Sequence, residues 1–167
     1  LNNDECVAIP TETVYGLAAN AYSKQAVLKI FKLKKRPSSN PLIVHYHNLN
    51  QLKKDCELNS VFGMLYKKFC PGAISFVLKL KQKSKISKNV TNNSNLVAVR
   101  FPSHHLTRKL LKKIDYPLAA PSANISSCIS PVSKKDVIDE FVNKIKFVLE
   151  GGSSKIGLES TIINLVG

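Results

Sequence analysis

The chain has 167 residues, enough for one domain with a real core, and a net charge of +14 from 25 basic against 11 acidic residues. Its longest apolar stretches, Ile74–Leu78 and Leu96–Val99, are strand length and far short of the roughly 20 residues of a bilayer-crossing helix, so a membrane span is excluded. The surplus charge favours polyanionic partners such as nucleotides or RNA, but 22 of the 25 basic residues are lysines, many in solvent-face runs such as Lys53-Lys54 and Lys112-Lys113, and a solubilising surface explains most of them. No signal peptide with a basic start and a cleavage site is visible in the sequence, and a cytoplasmic location is expected. Cys6, Cys56, Cys70 and Cys128 lack metal spacing and read as buried or incidental thiols.

In chain order, the apolar run Cys6-Val7-Ala8 is a strand, followed by Thr11-Glu12-Thr13-Val14-Tyr15-Gly16 where a strand-to-helix loop is expected. Ser23 caps a helix over Lys24–Lys34, with Val27, Ile30 and Phe31 at helical spacing. A strand at Leu42–Tyr46 precedes a helix from Asn59 to Phe69, which Pro71-Gly72 stops. Strands follow near 74–80 and 96–101, then a helix near 104–113 and a short apolar segment, Pro117–Pro121. The stretch Lys79–Asn95, rich in Lys, Ser and Asn, reads as a mobile hairpin or loop. Ser133-x-x-Asp136 opens a helix to about Lys144, and strands near 147–149 and 161–163 finish the chain. This irregular alternation predicts one α/β domain over 1–167, a mixed, twisted sheet with helices on its faces.

The chemistry concentrates in a few segments. Thr11, Thr13 and Tyr15 alternate at a strand exit, where α/β proteins bind ligands, although turn chemistry alone accounts for such a set. In Lys34-Lys35-Arg36-Pro37-Ser38-Ser39-Asn40-Pro41 two prolines stiffen a loop that projects a Lys and an Arg, which suits a polyphosphate. His45 sits in an apolar strand, either as a satisfied core residue or as a ligand contact. Arg100 ends an apolar strand, and a charge there must find an anion or reach water. Ala120–Asn124 is a small-residue loop able to line a ligand closely, and the Gly- and Ser-rich run 151–161 suits phosphate but lacks the order of a P-loop.

Six segments, PTETVYGL, KKRPSSNPLIVH, PGAISFVL, VAVRFP, APSANIS with SP soon after, and GLESTII, follow one another as in the YrdC-like threonylcarbamoyl-AMP synthases, and the resemblance spans essentially the whole chain. It implies an open, twisted mixed β-sheet flanked by helices around a basic concave groove. It also implies a nucleotidyl transfer in which L-threonine, bicarbonate and ATP, with Mg2+, become threonylcarbamoyl-adenylate and pyrophosphate. The adenylate would then serve threonylcarbamoyl-adenosine formation at tRNA position 37 through a partner transferase complex. By motif position, the resemblance assigns Thr13, His45, Arg100, the backbone at Ala120, and Ser160 to threonine. It assigns Arg36, Asn40, the backbone near Leu96, Ser122 and Ser130 to ATP, with Lys34 and Asn124 nearby. Lys34 and Arg36 would neutralise phosphate charge, and no general base and no protein metal ligand is assigned. Ala18, Leu96 and His104-His105 depart from the usual pattern, and the Arg-Pro-Gly motif expected beyond the final strand is missing, so truncation at one or both ends is expected. The alternatives are a non-catalytic double-stranded RNA or tRNA binder using the same groove, and a carbamoyl-transfer domain from a hydrogenase-maturation protein. The few aromatic residues count against the first, and missing zinc-finger and acylphosphatase-like sequence against the second.

Overall fold

A computed structural model describes residues 1–142 and 144–166. The elements run β1 (Val7–Ile9), β2 (Gly16–Asn20), α1 (Lys24–Lys34), β3 (Ile43–His45), α2 (Leu49–Asp55), α3 (Ser60–Phe69), β4 (Ile74–Lys79), β5 (Leu96–Arg100), α4 (His105–Lys113), β6 (Leu118–Ala119), α5 (Lys134–Phe141), β7 (Phe147–Val148) and β8 (Thr161–Asn164). These strands form one sheet in the order β7-β1-β2-β6-β3-β5-β4-β8. Pairs β1/β7, β3/β5 and β4/β8 are parallel and the others antiparallel, so the expected mixed α/β sheet is present. Among the described residues no helix is long and apolar enough to cross a membrane, and all four cysteines are free thiols.

Local chemistry sets the helix ends. Ser23 accepts the Ala26 N–H at the start of α1, and Lys35, in the left-handed region, closes its end on the carbonyls of Phe31 and Lys32. The Ser133/Asp136 capping box opens α5 as expected, but Val142 turns left-handed and the helix stops at Phe141, short of Lys144. Helix α2 was not expected, because with only Leu49 and Leu52 apolar it is too short for a periodic signal; Asn48 caps it by accepting the Gln51 N–H.

Because side chains alternate across a strand, the sheet sorts its residues between two faces. Ala8, Leu17, Ala19, Val44, Ile74, Phe76, Leu78, Val97 and Val99 bury into the main core, with residues of α1, α2, α3 and α5. On the other face Ile9, Ala18, Leu118 and Ala120 meet Leu111 of α4. That second cluster covers β1, β2 and β6 only. Further along the same face the registers His45↔Leu118, His45↔Arg100, Ser75↔Arg100 and Ser75↔Ile162 line up a row in which polar side chains replace apolar ones.

Two expectations change. The Thr-rich stretch 10–15 connects antiparallel β1 and β2 rather than a strand and a helix, because the chain reverses at once to continue the sheet. The Lys79–Asn95 stretch is no free loop: Ile86 and Val90 are buried in the core, and Leu42 and Ser87 bond it to the sheet side through Val90 and Ala21 carbonyls. Asp55 anchors it further. Its buried carboxylate accepts the hydroxyls of Tyr22 (2.9 Å), Tyr46 (3.0 Å) and Ser84 (2.9 Å) and the Lys85 N–H (3.3 Å). Removing it leaves several buried donors unpaired. Asp55→Ala is therefore expected to lower unfolding free energy by about 3 kcal/mol, read as a shifted urea midpoint.

Candidate active site

Arg100 is the last residue of β5, on the face opposite the core, and only 3% of it is exposed. The anion that its position demands is Glu12. The Arg100 Nη2 group donates to Glu12 Oε1 at 2.6 Å and to Thr13 Oγ1 at 2.8 Å, while Glu12 Oε2 accepts the Ser103 N–H at 2.8 Å. Thr11 stands 2.9 Å from the Thr13 hydroxyl and donates to the Val14 carbonyl at 2.6 Å, which fixes the tight loop. Tyr15 does not join them: its hydroxyl donates to the Gly152 carbonyl and accepts the Gly151 N–H. Burial alone would raise the Glu12 carboxyl, but the charge and hydrogen bond of Arg100 and backbone N–H groups hold it below the ordinary range.

His45 and Ser75 flank Arg100 in register on either side. Burial first, and the Arg100 charge second, push the imidazole down to about 3, so it stands neutral beside the guanidinium. Its Nδ1 and the Nε of Arg100 are buried polar atoms without a hydrogen-bond partner among the described residues. Ser75 and Ser160 share a hydrogen bond of 2.8 Å, which ties the start of β8 to the row.

Ser160 also lines a neighbouring cleft of about 200 Å³ with Arg36, Pro41, Ile43, Pro121, Ser122, Glu159 and Ile162. The proline-braced loop holds Arg36 by its carbonyls: Nε donates to Asn40 O at 3.2 Å and Nη2 to Pro41 O at 3.0 Å. Ser130 donates to Glu159 at 3.0 Å on the rim. Gly16 lets the 120–122 segment approach closely, since an added Cβ would stand 3.4 Å from both Ala120 Cβ and Pro121 O. The Ala120 N–H is taken by the Ile43 carbonyl.

The structure thus brings Thr13, His45, Arg100 and Ser160 together, and Arg36, Ser122 and Ser160 around the adjoining cleft. Asn40 and Ser130 border the cleft without lining it, and Leu96, Lys34 and Asn124 do not line it either. Leu96 starts β5, four residues or about 13 Å from Arg100. Lys34 is buried, with its ammonium donating to the carbonyls of Ser122 (2.6 Å) and Asn124 (2.5 Å) and to Asn124 Oδ1 (3.3 Å). Burial, then the Arg36 charge, bring that ammonium down to about 8. Asn124 in turn donates to the Ile125 and Cys128 carbonyls. Glu12, Ser75 and Glu159 had no assigned role. The demand of Arg100 for an anion was the signal for Glu12, while nothing in the sequence pointed to Ser75 or Glu159.

A profile of the Sua5/YciO/YrdC family, described as telomere recombination, matches residues 1–167. The chain belongs to that family. It is 42% identical over 166 residues to a threonylcarbamoyl-AMP synthase of Pyrococcus abyssi, covering 99% of this chain and 48% of that protein. It is 41% identical over 165 residues to the Bacillus subtilis synthase, covering 98% and 47%. The solved structure of P. abyssi Sua5 complexed with L-threonine superposes with a TM-score of 0.94 at 43% identity, covering 98% of this chain and 48% of that one. At 19% identity, the Escherichia coli YciO structure shares the fold, with a TM-score of 0.85. The chain spans about half the length of the curated relatives it matches.

A neutral, buried His45 makes family-fold stability depend on pH. The unfolded histidine takes up a proton below its ordinary 6.5, the folded one only near 3. This contribution is therefore full above pH 6.5 and declines as pH falls towards 3, by at most about 1.4 kcal/mol per unit. Glu12 adds its own loss only below its ordinary 4.5. Between about pH 7 and 5, the melting temperature of the wild type should fall more than that of His45→Gln, measured by circular dichroism.

Proposed function

We propose that this chain is the catalytic domain of a threonylcarbamoyl-AMP synthase. The observation that carries the reading is the junction at Ser160: its hydroxyl meets Ser75, the register neighbour of Arg100, and it lines the cleft that holds Arg36. One side suits a small amino acid. Arg100 would bind the threonine carboxylate, with Thr13, Ser160 and neutral His45 reading its polar groups and the backbone at Ala120 closing the pocket. The other side suits a nucleotide, with Arg36, the 37–41 loop with Asn40, Ser122 and Ser130 around the phosphates, and the strand start at Leu96 further out.

In the reaction, threonine gives up its ammonium proton to solvent, and the free amine attacks carbon dioxide, losing a second proton to solvent, or bicarbonate, releasing water, to form a carbamate. A carbamate oxygen then attacks the α-phosphorus of ATP, the bond to the β-phosphate oxygen breaks, and pyrophosphate leaves. No protein nucleophile is required, and the rate comes from alignment and charge neutralisation. Arg36 supplies the charge directly. Lys34 acts through the loop it holds, because its three acceptors keep Ser122 and Asn124 in place. Glu159 is the carboxylate lining the cleft, and with so few protein donors a magnesium ion would be held mainly by ATP and water and would screen phosphate charge. The adenylate would pass to a transferase complex modifying tRNA position 37, in the cytoplasm, and a basic groove would favour the polyanionic substrate.

Incubating the full-length protein with ATP, Mg2+, bicarbonate and labelled threonine should yield threonylcarbamoyl-adenylate by mass; its absence rejects the reading. Arg100→Lys keeps the charge but loses the fork, and kcat/KM for threonine should fall about 100-fold. Arg36→Ala should raise the KM for ATP about tenfold and leave threonine affinity unchanged in calorimetry.

A further inference from the structure

We infer that Glu12 determines substrate class, making the pocket select a zwitterionic α-amino acid over a plain carboxylic or hydroxy acid. The inference rests on the reading that Arg100 takes the substrate carboxylate. The Glu12 and Arg100 side chains are 12% and 4% exposed, so both charges of the pair are largely removed from water. Such charges are stable only when balanced. A pocket for a simple anion would leave the arginine charge to its ligand; here the protein's own carboxylate already balances it.

The geometry lets Glu12 stay when a ligand enters. Arg100 reaches Glu12 and Thr13 through Nη2 alone, while its buried Nε has no partner. Nη1 likewise has no hydrogen-bond partner among the described residues and, unlike Nε, is not shut off from the surface, so a ligand carboxylate can meet Nη1 without displacing Glu12. The Glu12 carboxylate accepts from Arg100 on Oε1 and from the Ser103 N–H on Oε2, and with about four lone-pair sites it keeps acceptor capacity for a ligand. With a ligand carboxylate in place the cluster holds one cation and two anions. His45 is neutral, and Lys34 is engaged with the 122–124 loop. The missing positive charge must come from the ligand, and the ammonium of an amino acid, one carbon from its carboxylate, supplies it. Glu12 acts here by orienting and balancing that group. Held below the ordinary carboxylate range, it is a poor proton acceptor.

A purely structural Glu12, bracing Arg100 against Ser103, would weaken all ligands alike when changed. The test is therefore a ratio. Calorimetry on the full-length protein would compare L-threonine with 2,3-dihydroxybutanoate, in which a hydroxyl replaces the amine. The wild type should prefer threonine by about 100-fold, Glu12→Gln should narrow that ratio at least about tenfold, and Glu12→Asp should keep most of it. An unchanged ratio in a folded Glu12→Gln overturns the inference while leaving the pocket assignment standing. Equal affinity of the wild type for the two compounds overturns it even if neither variant folds. No threonine binding by the wild type removes the pocket assignment itself, and the inference with it.

Discussion

A guanidinium buried at the end of a central strand is the constraint around which this molecule is arranged. Arg100 cannot reach water, so an anion and polar partners must be delivered to it from elsewhere in the chain. The β1–β2 connection delivers Glu12 and Thr13. That connection is itself held from outside, since the carbonyls of Glu12 and Thr13 accept the Ile156 and Gly157 N–H groups. The segment that leads to Ser160 is thus tied to the same loop that neutralises Arg100. Strand register does the rest by setting His45 and Ser75 on either side. A slip of one residue in β3 or β4 would turn these side chains into the core and bring Val44 or Phe76 to the arginine.

The second arginine obeys the opposite logic. Arg36 is held by two backbone carbonyls, neutral acceptors that fix its direction without cancelling its charge. Its ordinary high pKa is lowered by burial and supported by Glu159. One arginine is thus balanced by a carboxylate hydrogen-bonded to it, and the other hydrogen-bonds to backbone carbonyls, which under the proposed function would keep its charge for a ligand. In the proposed function the charge-balanced cluster would take a zwitterion and the cleft a polyanion, with Ser160, which bonds Ser75 and lines the cleft, between them.

How much of this could be read from the sequence depended on how local each cause was. Helix caps at Ser23 and Ser133, the strand ending in Arg100, and the need of that arginine for an anion are short-range facts, and they were legible. The identity of the anion was not: Glu12 lies 88 residues away and becomes a neighbour only through the sheet order. Ser75 was hidden because a single serine in an apolar strand carries no signal until its register with Arg100 is known. Lys34 was legible in principle. It stands four residues after Ile30 and seven after Val27, on the buried stripe of α1, where a lysine must end on protein acceptors. Reading it by charge alone pointed it at phosphate.

The same charge arrangement bears on the direction of the proposed chemistry. In the proposed function, threonine bound as a zwitterion would have its ammonium drawn towards Glu12. Carbamate formation would change the sign of that end of the molecule. The carboxylate that attracted the amine would then repel its product, and the cleft beyond Ser160 offers the Arg36 guanidinium, whose hydrogen bonds go to backbone carbonyls, although Glu159 shares that cleft. Opposed electrostatic forces on reactant and product would therefore move the new nucleophile from the pocket towards the phosphates, with the threonine carboxylate on Arg100 as the pivot. Neither arginine could do this alone: two unbalanced cations would hold the carbamate anywhere between them, and two balanced ones would leave the triphosphate without a partner.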